Sequence, residues 1–300
     1  MIPPTAAATP VPIPVVPLGD AVPRVIHQIF FPDEPPAIIQ DNIRKLRALN
    51  PGWDYRLYDE SRMASYISEH FGATMLACFR RIDPRYGAAR ADFFRYLLMY
   101  QEGGVYLDVK SGMARALDEV IRADDKYLLS HWDNDAKGGY AGWGRHRELR
   151  RYGGRELVQW YIVCVRGHPF LRAVIEMVLH NIANYSPIVD GTGRLGVLRV
   201  TGPIAYSLAI MPILEQHPKR FVSSEHDLGF VYNIFGSAPG LVHHRIFARH
   251  YSQLTEPVVT PTDAMRWVWP MYRPLQNLVL LPARRISAAI SRRIGVAPRG

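Results

Sequence analysis

The chain has 300 residues, 48% of them apolar, enough to bury the core of one large α/β domain or two small ones. Its two cysteines, Cys78 and Cys164, fit neither a disulfide framework nor a metal-ligand spacing, and suit small core residues of a reducing compartment. The formal charge of +9 does not indicate a nucleic-acid binder, because seven arginines and no acidic residue lie between 266 and 300, leaving 9 − 7 = +2 for the rest.

Residues 1–23 hold seven prolines among Ala, Val and Thr, which predicts an extended, disordered lead-in. This start has no basic cluster and prolines interrupt its apolar run, so it does not read as a signal peptide. No apolar run along the chain reaches the length of a bilayer span. Arg24 to Phe31 reads as a buried strand closed by Pro32-Asp33. Pro36 to Leu49 has helical spacing and stops at the Asn50-Pro51-Gly52 turn signal. Trp53 to Tyr58 alternates like a second strand, so strand, helix and strand open a parallel sheet. Ser61 to His70 predicts a further helix with Ser61 as its N-cap.

The stretch 87–111 is the centre of the chain. Nothing from Ala88 to Glu102 breaks a helix, and the mostly apolar composition predicts one buried on most of its surface. Asp92 and Arg95 stand three apart, on one helix face. Gly103-Gly104 closes the helix, and Val105 to Lys110 predicts a strand with Tyr106, Asp108 and Lys110 on one face. Two readings of these charges are open: a charged ligand meets them, or Asp92 and Arg95 pair internally while Asp108 caps the next turn.

Leu117 to Val120 and Tyr127 to Ser130 bring the chain back to the sheet, and His131-Trp132-Asp133-Asn134-Asp135 follows. Residues 137–155, crowded with Gly, Arg and Tyr, are too long for a simple connection and read as a lid or as a surface insertion. Gln159 to Cys164 is a strand, His168-Pro169 opens an amphipathic helix, and Thr201-Gly202-Pro203 starts another, whose N–H groups offer an anion site. Leu241 to His244 brings two adjacent histidines. The tail sets Trp267, Trp269 and Tyr272 beside a basic amphipathic stretch ending at Ile294. That composition suits either an anionic bilayer surface or a closing helix packed on the domain.

The run Ala-Arg-Ala-Asp-x-x-Arg-Tyr at 89–96, followed by Tyr-x-x-Gly-Gly-Val-Tyr-Leu-Asp at 100–108, resembles the nucleotide-sugar motif of glycosyltransferase family 32. Further similarities lie in Ile26-His27-Gln28, Asn50-Pro51, Gly167-His168-Pro169 and Thr201-Gly202-Pro203. The resemblance implies a GT-A-like (Rossmann-like) α/β fold, a mainly parallel sheet flanked by helices, over residues 24–265. It implies a nucleoside-diphosphate sugar donor, a glycan or lipid-linked acceptor and retention of configuration. Carried over by position, Asp92, Arg95, Tyr106 and Asp108 match donor-binding positions, with His27, Gln28 and Gly202 as further donor contacts. The family's Asp-x-Asp motif holds Mn2+ or Mg2+, but here Lys110 replaces the second aspartate. A metal would then rest on Asp108 and on His243 or His244, or Lys110 would supply the positive charge itself. Arg95 is expected to stabilise the diphosphate, and Asp133 and Asp135 are candidates for a base by location. The expected setting is the inner face of a membrane, with the protein cytoplasmic and held peripherally by the tail. The lost aspartate also leaves room for a catalytically degenerate nucleotide-sugar or glycan-binding protein.

Overall fold

In the computed structural model, residues 11–31, 34–236, 251–260 and Trp269 are described. Of the expected lead-in, residues 11–23 are not a loose segment. The Val16 N–H reaches the Tyr100 hydroxyl at 3.3 Å, that hydroxyl donates to Pro14 O at 3.1 Å, and Gly19 N–H donates to Arg166 O at 3.0 Å. Proline costs nothing there, because an extended strap needs few of its own N–H groups.

The first strand, β1 (Val25–Ile29), is buried along its length and pairs in parallel with β2 (Asp54–Tyr58) across α1 (Ala37–Leu49). Helix α2 (Glu60–Arg80) runs ten residues beyond the expected end and is capped by Asp59, not Ser61. The Asp59 carboxylate accepts from Arg62 N–H at 2.7 Å, and the helix bends at Gly72, where φ is 81°. Helix α3 (Gly87–Glu102) leads into β3 (Gly104–Leu107), which lies parallel to β1. Gly103 and Gly104 both have positive φ, and a Cβ on Gly103 would stand 2.5 Å from Arg166 N. Only glycine can make this turn so close to the neighbouring chain.

A two-residue strand β4 (Gly112–Met113) and the short helix α4 (Leu117–Val120) follow; the 117–120 run is thus a helical turn, not a sheet strand. Then come β5 (Tyr127–Leu129), β6 (Tyr161–Cys164), α5 (Pro169–Ala183), α6 (Gly193–Val200), α7 (Pro203–Ile210), β7 (Arg220–Phe221) and β8 (Phe230–Val231). The main sheet has the order β2-β1-β3-β6-β5-β7, and β4 pairs with β8 apart from it. Within the main sheet the pairings of β6 with β3 and with β5 are antiparallel and the others parallel, and β4 and β8 also pair antiparallel. This is the α/β, mainly parallel and helix-flanked architecture expected of a GT-A-like protein.

The alternation along each strand sorts the core into two sides. Ile29, Tyr106, Ile162 and Leu129 face α2, α3, α5, α6 and α7, while Ile26, Val105, Leu107 and Val163 pack with Leu46 and Leu117 of α1 and α4. Helix α3 is buried on nearly every side from Ala89 to Tyr100. Phe93, Phe94, Leu97 and Leu98 are fully enclosed, each contributing about 1.5–3 kcal/mol by burial. The apolar stretch 193–216 passes for a membrane span by length and composition, yet α6, α7 and a 3-10 turn break it up and 56% of it is buried.

Candidate active site

The parallel strands β1 and β3 end on the same edge of the sheet, and antiparallel β6 begins there. Ligands in open α/β sheets bind outside such carboxyl ends. β3 stops at Leu107, one residue before Asp108, and the chain turns at once, with Ser111 N–H donating to Asp108 O at 2.8 Å. The expected strand through Lys110 is therefore two-thirds as long, and Asp108 and Lys110 do not share a strand face. The Asp108 backbone is fixed from both sides: its N–H donates to Trp160 O at 2.8 Å, and Gln28 Nε2 donates to its carbonyl at 3.3 Å.

Arg95 joins the carboxylates. Its Nη2 reaches Asp92 Oδ1 at 2.7 Å, its Nη1 reaches Asp108 Oδ1 at 3.1 Å and Gln159 O at 2.7 Å, and its guanidinium lies 4.7 Å over the Tyr106 ring. Arg95 and Asp92 side chains are 5% exposed, whereas Asp108 is 21% exposed. Asp92 also accepts from Gln159 Nε2 at 3.2 Å and from the Thr201 hydroxyl at 3.1 Å. Burial pushes the Asp92 carboxyl up to about 6 against the pull of Arg95. Burial works to lower the Arg95 guanidinium, but Tyr106, Asp108 and Asp92 outweigh it and raise it.

Of the two open readings of these charges, the internal Asp92–Arg95 pair is formed. The Arg95 guanidinium is buried between two carboxylates and holds both. What it presents is Asp108. The Tyr106 hydroxyl donates to Asp108 Oδ1 at 2.9 Å, and among the described residues Oδ2 has no hydrogen bond or ion pair. One oxygen is held by two donors and the other is left open.

Lys110 does not pair with Asp108. Its ammonium donates to the Tyr232 hydroxyl at 3.0 Å and sits 4.5 Å from that ring's centre. Among the described residues it makes no ion pair. His27 resolves as a core histidine: its Nε2 meets Gly103 O at 3.2 Å and its Nδ1 meets the Tyr58 hydroxyl at 3.3 Å. Burial, then the nearby Arg56, pull it down to about 3, so it is neutral and donates through Nε2. Gln28 holds Asp108 in place instead of facing a base, and Tyr55 donates to its Oε1 at 2.8 Å. Gly202 caps α7, but its own N–H donates to Val197 O at 2.8 Å, and a Cβ there would meet Leu198 Cα at 2.8 Å. Its job is the tight α6–α7 corner that delivers Thr201 to Asp92.

Asp133 is exposed and accepts from Gly139 N–H at 3.2 Å in its own loop, and Asp135 pairs with Arg145 at 3.3 Å. Neither is brought to Asp108 by these contacts. His243 and His244 lie outside the described residues, as does the tail except Trp269, which is buried (7% exposed) instead of facing outward. Among the described residues no three His, Cys, Asp or Glu side chains form a metal cluster, and Asp108 is the one carboxylate with an open oxygen here. These residues do not by themselves fit a Mn2+ or Mg2+ site. Gln159, Thr201 and Trp160 escaped a reading of single residues. Gln159 lies just ahead of β6, and the β3–β6 register brings it to Asp92.

Residues 36–127 match the family described as the glycosyltransferase sugar-binding region containing a DXD motif. An inositol phosphoceramide mannosyltransferase of Schizosaccharomyces pombe is 26% identical over 188 residues, covering 63% of this chain and 44% of its own length. The mannosyl phosphorylinositol ceramide synthase CSH1 of Saccharomyces cerevisiae is 28% identical over 181 residues, 58% of this chain and 41% of its own length. The chain thus spans less than half the length of these relatives. Among solved structures, the UDP-bound glycosyltransferase domain of the YGT toxin superposes with a TM-score of 0.47 at 8% identity, covering 72% of this chain and 82% of that one. Asp92, Arg95, Tyr106 and Asp108 all fall within the segment that matches the glycosyltransferase sugar-binding region.

Proposed function

We propose that this protein transfers a sugar from a nucleoside-diphosphate donor to a hydroxyl of a glycan or glycolipid, with retention at the anomeric carbon. The observation that carries this reading is Asp108 at the end of β3, one oxygen pinned by Arg95 and Tyr106 and the other open, inside the sugar-binding region. The names of the relatives favour a mannose-type hexose donor and an acceptor in glycolipid synthesis. In the reaction the bond from the anomeric carbon to the diphosphate oxygen breaks, and the acceptor oxygen bonds to that carbon. The acceptor proton leaves, and negative charge grows on the diphosphate.

Asp108 Oδ2 accepts from a donor hydroxyl, and the Lys110 ammonium two residues on offers the positive charge that the diphosphate requires. Preorganisation by Arg95 keeps Asp108 from reorienting as charge moves. A divalent ion, where one binds, would add charge stabilisation to the same diphosphate. The basic tail is proposed to hold the protein at the cytoplasmic face of an anionic membrane, near a lipid-linked acceptor.

A thermal-shift screen against UDP- and GDP-sugars, with and without manganese, followed by detection of released nucleotide, tests the reading. A ligand at a hundred times its Kd raises stability by about 2.7 kcal/mol. A second reading, a nucleotide-sugar binding protein without turnover, is favoured by Lys110 at the second motif aspartate. It predicts stabilisation by a donor that stays uncleaved. No stabilisation by any donor refutes both.

A further inference from the structure

The stretch 137–155, expected as a lid or as a surface insertion, carries two of a cluster of five rings. Trp132, Tyr140 and Trp143 pack on one another with centroids 4.8–5.6 Å apart, and all three turn edges or faces to Tyr232, at 4.9, 6.2 and 6.1 Å. Trp160 joins Tyr232 from the sheet side at 5.4 Å. The cluster abuts the candidate active site twice over. Trp160 O holds the Asp108 N–H, and Tyr232 holds the Lys110 ammonium. It is also fixed in place. Trp132 Nε1 donates to Glu156 at 2.6 Å, the Tyr140 hydroxyl to Glu225 at 3.0 Å, and Asn134 Nδ2 to Trp143 O at 2.6 Å.

Two features of this cluster are costly for a purely structural element. Trp143, its outermost ring, is 51% exposed although it stands among packed aromatics. Three buried polar atoms around it have no hydrogen-bond partner: Trp160 Nε1, Asn134 Oδ1 and Arg155 Nε. An unpartnered buried polar group loses its hydrogen bonds to water and gains none in return. Two donors and an acceptor beside an aromatic face match one ligand chemistry. A sugar or cyclitol ring has an apolar C–H face that packs on an aromatic ring, and an equator of hydroxyls that both donate and accept.

We propose that Trp143 and the rings behind it form an acceptor subsite beside Asp108 that takes a polyhydroxylated six-membered ring. This rests on the transferase reading for the word acceptor, though the ring binding itself does not. The orphaned atoms are buried, so they gain partners from the ring's hydroxyls only once the rings above them shift.

Saturation-transfer NMR with methyl α-D-mannopyranoside and myo-inositol as probes tests the assignment on the full chain. The wild type is expected to saturate the ring C–H protons of at least one probe. Trp143→Ala should weaken that binding about tenfold, and Trp143→Phe, which keeps an aromatic face, by no more than about threefold. Trp143 is half exposed, so both variants should melt close to wild type. No signal from either probe, or equal signals from wild type and Trp143→Ala, overturns the proposal. So does displacement of the probe by UDP-glucose or GDP-mannose, which would put the ring in the donor pocket. Nucleotide binding followed in the same samples separates the two ideas. Probe binding without nucleotide binding sinks the transferase reading and leaves the ring subsite standing.

Discussion

Replacing Arg95 by Met keeps much of the side chain's volume and removes the guanidinium that bridges Asp92 and Asp108. Two carboxylates and the Gln159 carbonyl then lose a donor, at contacts of 2.7, 3.1 and 2.7 Å. Asp108 can turn to water, being 21% exposed, but Asp92 at 5% cannot. Breaking a buried pair by removing one partner costs about 3–5 kcal/mol, chiefly because the other charge is left uncompensated. The loss should depend on pH in a defined direction. In the wild type Asp92 titrates near 6 when folded against 3.8 unfolded. The native state therefore holds the proton longer, and this group's contribution falls as pH rises from 3.8 through 6. Without Arg95 the folded value climbs further, so the window extends upward and the variant's deficit is larger at pH 8 than at pH 5. Urea unfolding at both pH values measures this, and Asp92→Asn in the Arg95→Met background should recover a good part of the loss. A deficit below about 1 kcal/mol at pH 7, or one equal at pH 5 and pH 8, refutes the argument that Arg95 is held in the core by carboxylates.

Asp108→Asn keeps shape and loses charge, so transfer should disappear while the melting temperature stays near that of the wild type; an active variant removes Asp108 from the mechanism. For Lys110→Ala, activity that survives EDTA in the wild type and collapses in the variant assigns the positive charge to lysine. Activity lost in EDTA and indifferent to the substitution assigns it to a metal. His27, held near 3 when folded against 6.5 unfolded, contributes stability that is complete above pH 6.5 and is lost as pH falls toward 3, up to about 5 kcal/mol. His27→Gln should flatten that acid slope in urea midpoints; an unchanged slope contradicts it. Removing residues 266–300 should abolish sedimentation with anionic liposomes at low salt and leave donor binding intact, and a full chain that ignores such vesicles refutes the membrane role.

Helix α3, the Gly103-Gly104 turn and β1–α1–β2 were legible without coordinates because their causes are local. Unbroken apolar periodicity needs burial on every side, paired glycines at positive φ end a helix, and alternation sets a strand's faces. The motif spanning Asp92 to Asp108 was legible for a similar reason: helix, turn and strand follow one another without interruption. What local pattern cannot express is which partner each charge meets. Asp92 and Arg95 look the same in sequence whether they wait for a ligand or for each other. Gln159, just ahead of β6, and Thr201 from the α6–α7 corner close around Asp92 from 67 and 109 residues away. Lys110 likewise reads as Asp108's neighbour on a strand, until the chain turns after Leu107 and Tyr232, 122 residues on, takes the ammonium. The lid's rings converge on Tyr232 only through tertiary packing. Periodicity fixes which face of an element is buried, but the pairing of distant polar groups depends on loop paths and sheet order, which no local preference encodes.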